Sequence, residues 1–166
     1  MAMKAKILGR EALSRRLQQL APEAEKAATA AKIEIARDAA MQMAVAAPRE
    51  TGQYAESIKG GFLHDNIAHS PVGVTASKDP EATGVFAHFT WRFLEFGTKA
   101  HMIKSKDGGP LAFKGATDDT EFASQVKHTG SAAHPHIFPT WRAMKPKAMR
   151  KMRGAINKAV RKAMGK

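Results

Sequence analysis

The chain has 166 residues, 43% of them hydrophobic, which is enough for a single globular domain with its own core. It contains no cysteine, and this excludes disulfides and thiolate metal sites. The 27 lysines and arginines outnumber the 15 aspartates and glutamates to give a net charge of +12, and ten of the cations lie from Thr140 onward, while no acidic residue follows Glu121.

Apolar and charged residues are distributed in a way that argues against a membrane protein. No stretch approaches the roughly 18 apolar residues that a membrane helix needs. Lys4, Lys6 and Arg10 interrupt the N-terminal segment, so no apolar leader is expected. We therefore expect a soluble protein that is assembled in the cytoplasm.

Residues 11–47 have the spacing of a long helix, and residues 1–47 are predicted as an N-terminal helical arm. Pro22 either starts a second helix or kinks one long helix, and Pro48 ends the pattern. Apolar residues at three- and four-residue steps share one face: Leu13, Leu17, Leu20, Ala24, Ala28, Ala31, Ile35, Met43 and Ala46.

A turn motif follows the helix and leads into a small antiparallel sheet, within a predicted core and docking region at residues 48–137. Thr51 is expected to cap a short helical turn that contains Tyr54 and Ala55. The motif comprises Pro48, Thr51, Gly52, Ser57 and Ile58. We predict extended segments at Ser57–His64, Val72–Ala76 and Gly84–Trp91, with a bulge at Gly60-Gly61. The connections between these segments are short enough for antiparallel pairing.

The stretch from Trp91 to Thr98 surrounds one carboxylate with large apolar side chains. A carboxylate among aromatic residues needs a partner, and the candidates for Glu95 are backbone amides after Gly97, the Thr98 hydroxyl, or the side chains of Arg92 and Lys99. A catalytic acid would need a second group nearby, so we favour a structural carboxylate that holds the turn at Gly97-Thr98. The stretch is predicted to be a structural pivot that fills the space between the sheet and two helices: Trp91, Phe93, Leu94, Glu95, Phe96, Gly97 and Thr98.

Residues 99–136 have little regular pattern and are predicted to form a long docking loop, which functions or becomes ordered on assembly. Leu111–Phe113 and Ala123–Val126 are predicted as the strands of a hairpin around a polar tip at Thr117–Thr120. Residues 104–110 and 127–131 are predicted as flexible loops.

Four histidines lie in or beside this region, and His134-Pro135-His136 is the pair that suggests a metal site. Zinc requires three or four ligands with an ordered second shell, and neither an HExxH pattern nor a carboxylate at a matching offset is present. We therefore expect His101, His128, His134 and His136 to be loop residues, with no metal and no cofactor.

The last predicted element, residues 138–166, is a basic helix that begins near Pro139. Its apolar face contains Trp141, Met144, Ala148, Met152, Ala155, Ala159 and Ala163, with Met149, Ile156 and Val160 beside them. The opposite face is either solvated or contacts DNA phosphates or an acidic partner. The candidate contact residues are Arg150, Lys151, Arg153, Lys158, Arg161 and Lys162.

Three segments resemble a family of tailed-phage head–tail joining proteins, the neck or tail-completion proteins of lambdoid siphophages, similar in role to the lambda tail-completion protein. Residues 47–58 resemble the family pattern APxxTGxLxxSI, with Tyr54 in place of the usual leucine. Residues 93–98 resemble its segment (Y)AxFLEFGT, and residues 134–141 its segment xPFLxPA before a C-terminal helix. Thr90-Trp91 replaces the usual Tyr-Ala pair.

The resemblance implies an α+β subunit with a long N-terminal helix, a small antiparallel sheet and a C-terminal helix. Such subunits form a ring, typically a hexamer, at the virion's head–tail junction. The implied partners are further copies of the chain, the connector or stopper, the tail terminator or tube, and DNA passing through the lumen. The implied role is mechanical, without catalysis.

Three alternatives remain from the sequence. A tail terminator ring would share the same α+β plan. A free DNA-binding module is supported by the basic terminus alone. A metal-dependent hydrolase would use His128, His134 and His136.

Overall fold

The computed structural model describes residues 10–65, 70–73, 77–114 and 119–165. It has an α+β fold, as predicted, with helices at both ends and short antiparallel strands between them. The elements in chain order are α1 Arg10–Ala46, α2 Gln53–Ser57, β1 Lys59–Phe62, β2 Ser70–Pro71, β3 Thr83–Ala87, α3 Trp91–Phe96, β4 His101–Lys104, β5 Leu111–Lys114, β6 Thr120–Ala123, β7 Gln125–His128 and α4 Ile137–Ala163.

Helix α1 is one element that runs through Pro22. Ala31, Ile35 and Met43 of the predicted apolar stripe are buried, whereas Ala46 is exposed. The side chains predicted to begin the stripe, those of Leu13, Leu17 and Leu20, lie outside the described part. Ala36, Ala39 and Ala40 widen the buried face, and alanine lets the sheet and α4 approach the helix backbone closely.

The first sheet has the order β1-β3-β2, with both neighbouring pairs antiparallel. The predicted bulge at Gly60-Gly61 is wrong, because Gly60 pairs with Val85 and Gly61 with Gly84 in an uninterrupted register. A Cβ atom on Gly60 would lie 2.3 Å from the backbone carbon and oxygen of Ala36. Glycine is therefore needed here for the close approach of β1 to α1.

Two predicted strands differ from the observed ones. Strand β2 covers Ser70–Pro71, and the Val72 amide then donates to the Val85 carbonyl at 2.8 Å, while residues 74–76 of the predicted strand lie outside the described residues. Strand β3 ends at Ala87, so the predicted extension to Trp91 is wrong. The chain turns there, since the His88 carbonyl accepts a hydrogen bond from the Trp91 amide.

Helix α4 packs across α1 and closes the core. Ile137, Met144 and Ala148 are its buried residues, and the first two join Ala39 and Met43 of α1 in one apolar cluster. An ion pair lies beside this contact.

That ion pair joins α4 to α1 through Lys151, whose Nζ lies 2.9 Å from Asp38 Oδ2 and 3.1 Å from Glu34 Oε2. The hydrogen bonds to Asp38 and Glu34 raise the pKa of Lys151 above its ordinary value. The two charges that oppose Lys151 both belong to α1.

The predicted docking loop is a pair of nested hairpins, called here the β-arm (residues 99–130). Strands β4 and β7 pair antiparallel near its base, and β5 and β6 pair antiparallel beyond them. The predicted hairpin is thus confirmed at Leu111–Phe113, but its second strand is Thr120–Ala123 instead of Ala123–Val126. Most of the predicted tip at Thr117–Thr120 lies outside the described residues.

The loop prediction failed at β4 because its four side chains are all exposed, so alternating hydrophobicity does not mark it. In β7, whose side chains alternate between exposed and half-buried, the predicted strand covers only Gln125 and Val126. Among the described helices, none is both long and apolar enough to cross a membrane.

The close approach at Gly60 generates a prediction about stability. Gly60→Ala should lower the free energy of unfolding by about 1–3 kcal/mol, because its methyl group overlaps the Ala36 backbone. Gly154→Ala is the matched control: nothing lies within 4 Å of its Cβ position, so it should stabilise α4 by about 0.5–1 kcal/mol. Urea unfolding followed by circular dichroism measures both, and equal effects of the two changes would contradict the packing described here.

Candidate functional site

The side chain of Glu95, at 3% exposure, is the most buried carboxylate among the described residues, and it lies at the junction of α3 and α4. Its Oε2 accepts hydrogen bonds from the amides of His136 at 2.7 Å and Ile137 at 2.9 Å. Its Oε1 accepts one from the Phe138 amide at 3.0 Å. Both carboxylate oxygens are thus committed to consecutive backbone amides.

These amides are the ones that the start of α4 leaves without intrahelical partners. A helix begins with four such groups, and the cap residue His136 makes no side-chain capping bond of its own. Glu95 satisfies three of them, and the fourth position is Pro139, which has no amide hydrogen. A carboxylate from α3 therefore caps α4 completely, with its negative charge at the positive end of the helix dipole.

His136 extends this cap to α2. Its Nδ1 lies 2.8 Å from the His134 carbonyl oxygen, which can only accept, so we assign the proton to Nδ1. In the neutral ring Nε2 then accepts from the Tyr54 hydroxyl at 2.7 Å. The two rings also meet edge to face, with centroids 5.5 Å apart. Tyr54, His136 and Glu95 thus form one network that we call the capping network, in which Glu95 and His136 are buried and Tyr54 is half-buried.

Backbone amides were among the expected partners of Glu95, but the amides observed do not directly follow Gly97. Thr98 Oγ1 accepts a hydrogen bond from the Ser131 amide at 2.9 Å, and the Arg92 guanidinium lies 5.4 Å from the centre of the Trp91 ring. The true partners lie 41 to 43 residues further along the chain, so local sequence could not identify them.

The Gly97-Thr98 turn is held by residues that directly follow the β-arm, and not by Glu95. Thr98 and Ser131 form an isolated antiparallel bridge, and the His134 amide donates to the Leu94 carbonyl at 2.7 Å. Gly97 has a φ of +71°, and a Cβ atom there would lie 2.6 Å from the Ser131 oxygen. The base of the β-arm is therefore closed against the end of α3, next to the capping network.

The aromatic residues of the pivot were predicted to fill the core, but only some of them do. Trp91 is buried and Leu94 is half-buried, but Phe93 is 50% and Phe96 is 64% exposed. A six-residue helix cannot turn all its apolar side chains inward, so α3 buries Trp91 and Glu95 and presents the two phenylalanines outward.

The electrostatics of Glu95 suit a structural carboxylate. Burial raises its pKa, but the hydrogen bonds from the amides of Ile137, His136 and Phe138 outweigh burial and hold the pKa of Glu95 below its ordinary value. A general acid would need a raised pKa, so the geometry does not fit that interpretation of Glu95. The negative charge also acts on Tyr54, since burial first and Glu95 second raise the pKa of that hydroxyl.

The turn motif is joined to the sheet beside this network. Ser57 Oγ donates to the Tyr54 carbonyl at 2.6 Å and accepts from the His88 amide at 3.1 Å, and Ile58 is buried in the core. The predicted cap at Thr51 is wrong, because α2 begins after Gly52, whose φ of +81° requires glycine. Pro48, Thr51 and Gly52 line a shallow surface depression with Phe93 and Leu94.

The histidines are dispersed. His136 belongs to the capping network, His134 is exposed, and His101 and His128 face each other across β4 and β7 with ring centroids 5.1 Å apart. Over the described ranges, no three histidine, aspartate or glutamate side chains are grouped closely enough to hold a metal ion.

The candidate DNA-contact residues divide into two kinds. Lys151 is half-buried and paired with α1 carboxylates. The other five are exposed on α4: Arg150, Arg153, Lys158, Arg161 and Lys162.

Comparison of the chain with models of known protein families, with curated proteins and with solved structures finds no match to any of them.

The cap generates a prediction about pH. Glu95→Gln should lower the free energy of unfolding by about 2 kcal/mol at neutral pH, because the amide cannot accept three charge-assisted bonds. The folded pKa of Glu95 lies below the ordinary 4.5, so its contribution is complete above that value and is lost as pH falls through the folded pKa.

The difference in the free energy of unfolding between wild type and Glu95→Gln should therefore be constant from about pH 7 to about pH 5 and shrink below pH 4.5. Urea unfolding at each pH measures it, and Glu56→Gln, at an exposed glutamate of α2, is the matched control. A difference that did not change with pH would contradict the role of the Glu95 charge.

Proposed function

We propose that the chain is a structural virion subunit that forms a homo-oligomeric ring at a phage head–tail junction. The ring joins tail to head and leaves a channel for DNA. The observation that carries this proposal is where the three family-like segments lie. Tyr54 from the first, Glu95 from the second and the first turn of α4 from the third converge in the capping network.

This convergence gives the resemblance a physical basis. Glu95 of the second segment and the first turn of the third complete each other's hydrogen bonds, so the positions of these two segments are restricted together. Tyr54 adds a hydrogen bond that the leucine of the family pattern could not make. The network fixes where α4 starts and lies beside the closed base of the β-arm. Such an arrangement suits a protein with a mechanical role, because the body then holds the β-arm in a defined direction.

Exposed apolar residues support docking to neck and tail proteins. Phe89 and Phe93 are both at least half exposed and touch edge to face, with ring centroids 6.3 Å apart. Clusters of exposed aromatic residues are typical of protein–protein contact surfaces. In this proposal the connector or stopper on one side, and the tail terminator or tube on the other, cover such surfaces.

The five exposed candidate contact residues of α4 support a role for DNA. In a ring they would act on DNA phosphates in the lumen. The same cations favour the second candidate function, a free DNA-binding module. A tail terminator ring is a further alternative, in which the same kind of virion ring occupies another position. A ring and a free module differ in oligomeric state.

Native mass spectrometry with negative-stain imaging tests the proposal. We expect a closed ring, most simply a hexamer, for the wild type and for Glu56→Gln. Glu95→Ala should lose the ring, because three uncapped amides loosen the start of α4 beside the base of the β-arm. A wild-type protein that stays monomeric at every concentration imaged would contradict the ring, and salt-dependent binding of that monomer to duplex DNA would support the free module.

A further inference from the structure

We propose that the outer hairpin of the β-arm of one copy, with Phe122 at its centre, docks into an apolar groove on the body of the next copy. The inference rests on the proposed ring and names the contact that would hold it together. Two surfaces of the same chain carry it, one on the body and one on the arm.

The groove lies between α1, α4 and the three-stranded sheet. It encloses about 430 Å³ and is lined mainly by apolar side chains, among them Ile35, Val72, Val85, Phe138, Trp141 and Met149. Trp141 is 37% and Met149 is 47% exposed although both are large and apolar. An open groove of this kind has the size and chemistry to receive an aromatic side chain.

The outer hairpin supplies such a side chain. Phe122 in β6 is 69% exposed, and its cross-strand neighbour Ala112 is also exposed. Phe122 therefore stands on a hairpin face that the body of its own chain leaves uncovered. Strands β5 and β6 contact chiefly one another, so the hairpin is presented away from the core.

Charge favours a second copy as the occupant. Residues 111–123 contain one lysine and three acidic residues, whereas α4, which forms one side of the groove, carries only cations among its charged residues. Opposite charge therefore favours the approach of the outer hairpin of one copy to the groove of another.

The geometry of such a contact matches a ring. The arm and the groove are different surfaces, so each copy gives its arm to one neighbour and receives an arm from the other. A head-to-tail contact of this kind produces a closed ring when its rotation completes a circle.

Cysteine cross-linking tests the docking, because the full chain contains no cysteine of its own. Phe122→Cys and Met149→Cys proteins are mixed, reassembled and oxidised, then analysed on a non-reducing gel with peptide mapping. A disulfide forms only when two Cβ atoms come within about 4.5 Å. We expect a covalent dimer joined through positions 122 and 149, and a ladder up to the full ring for the doubly substituted chain. Phe89→Cys, at another exposed phenylalanine, replaces Phe122→Cys in the matched control and should give no such dimer.

The outcomes separate this inference from the proposed function. A ring in native mass spectra without a 122–149 disulfide overturns the docking and leaves the ring standing. Dimers from Phe122→Cys alone also overturn it, since arms would then meet arms. A 122–149 disulfide without a ring supports the docking while contradicting the proposed function, and the absence of both overturns both.

Discussion

The carboxylate of Glu95 accepts hydrogen bonds from three consecutive amides that lie 41 to 43 residues away, and these are the amides that α4 cannot satisfy itself. With Pro139 at the fourth position, no other acceptor is needed at this end of the helix. The end of α3 and the start of α4 are therefore fixed to each other. Because the β-arm lies between α3 and α4 in the chain, the same contact holds its two ends near each other, and the Thr98–Ser131 bridge closes its base.

The fold combines a packed body with a projecting arm. In the body, α1 and α4 pack through small and apolar residues, β1 approaches α1 at Gly60, and Lys151 joins α4 to two carboxylates of α1. In the arm, paired strands are held by backbone hydrogen bonds with little apolar burial. Little buried apolar surface is typical of segments that open locally at low cost or that become fixed by a partner.

The sequence predicted those features that depend on local pattern. The stripe of α1, the start of α4 near Pro139 and the hairpin strand at 111–113 follow from helical spacing, proline geometry and turn residues. Prediction from sequence failed for those features that depend on a contact with a distant segment of the chain. The partners of Glu95, the close approach at Gly60 and the internal pairing of Lys151 each involve residues from another element. Phe93 and Phe96 were misplaced because their exposure depends on how much of a short helix the core can cover.

Amide hydrogen exchange in Glu95→Gln tests most directly whether one carboxylate holds both the helix and the arm. If it does, the amides of His136, Ile137 and Phe138 and those of the Thr98–Ser131 bridge should lose protection together, by about 30-fold for a loss of about 2 kcal/mol. Amides in the β1–β3 pair serve as the internal reference. Unchanged protection at positions 98 and 131, with the helix start alone affected, would contradict the account.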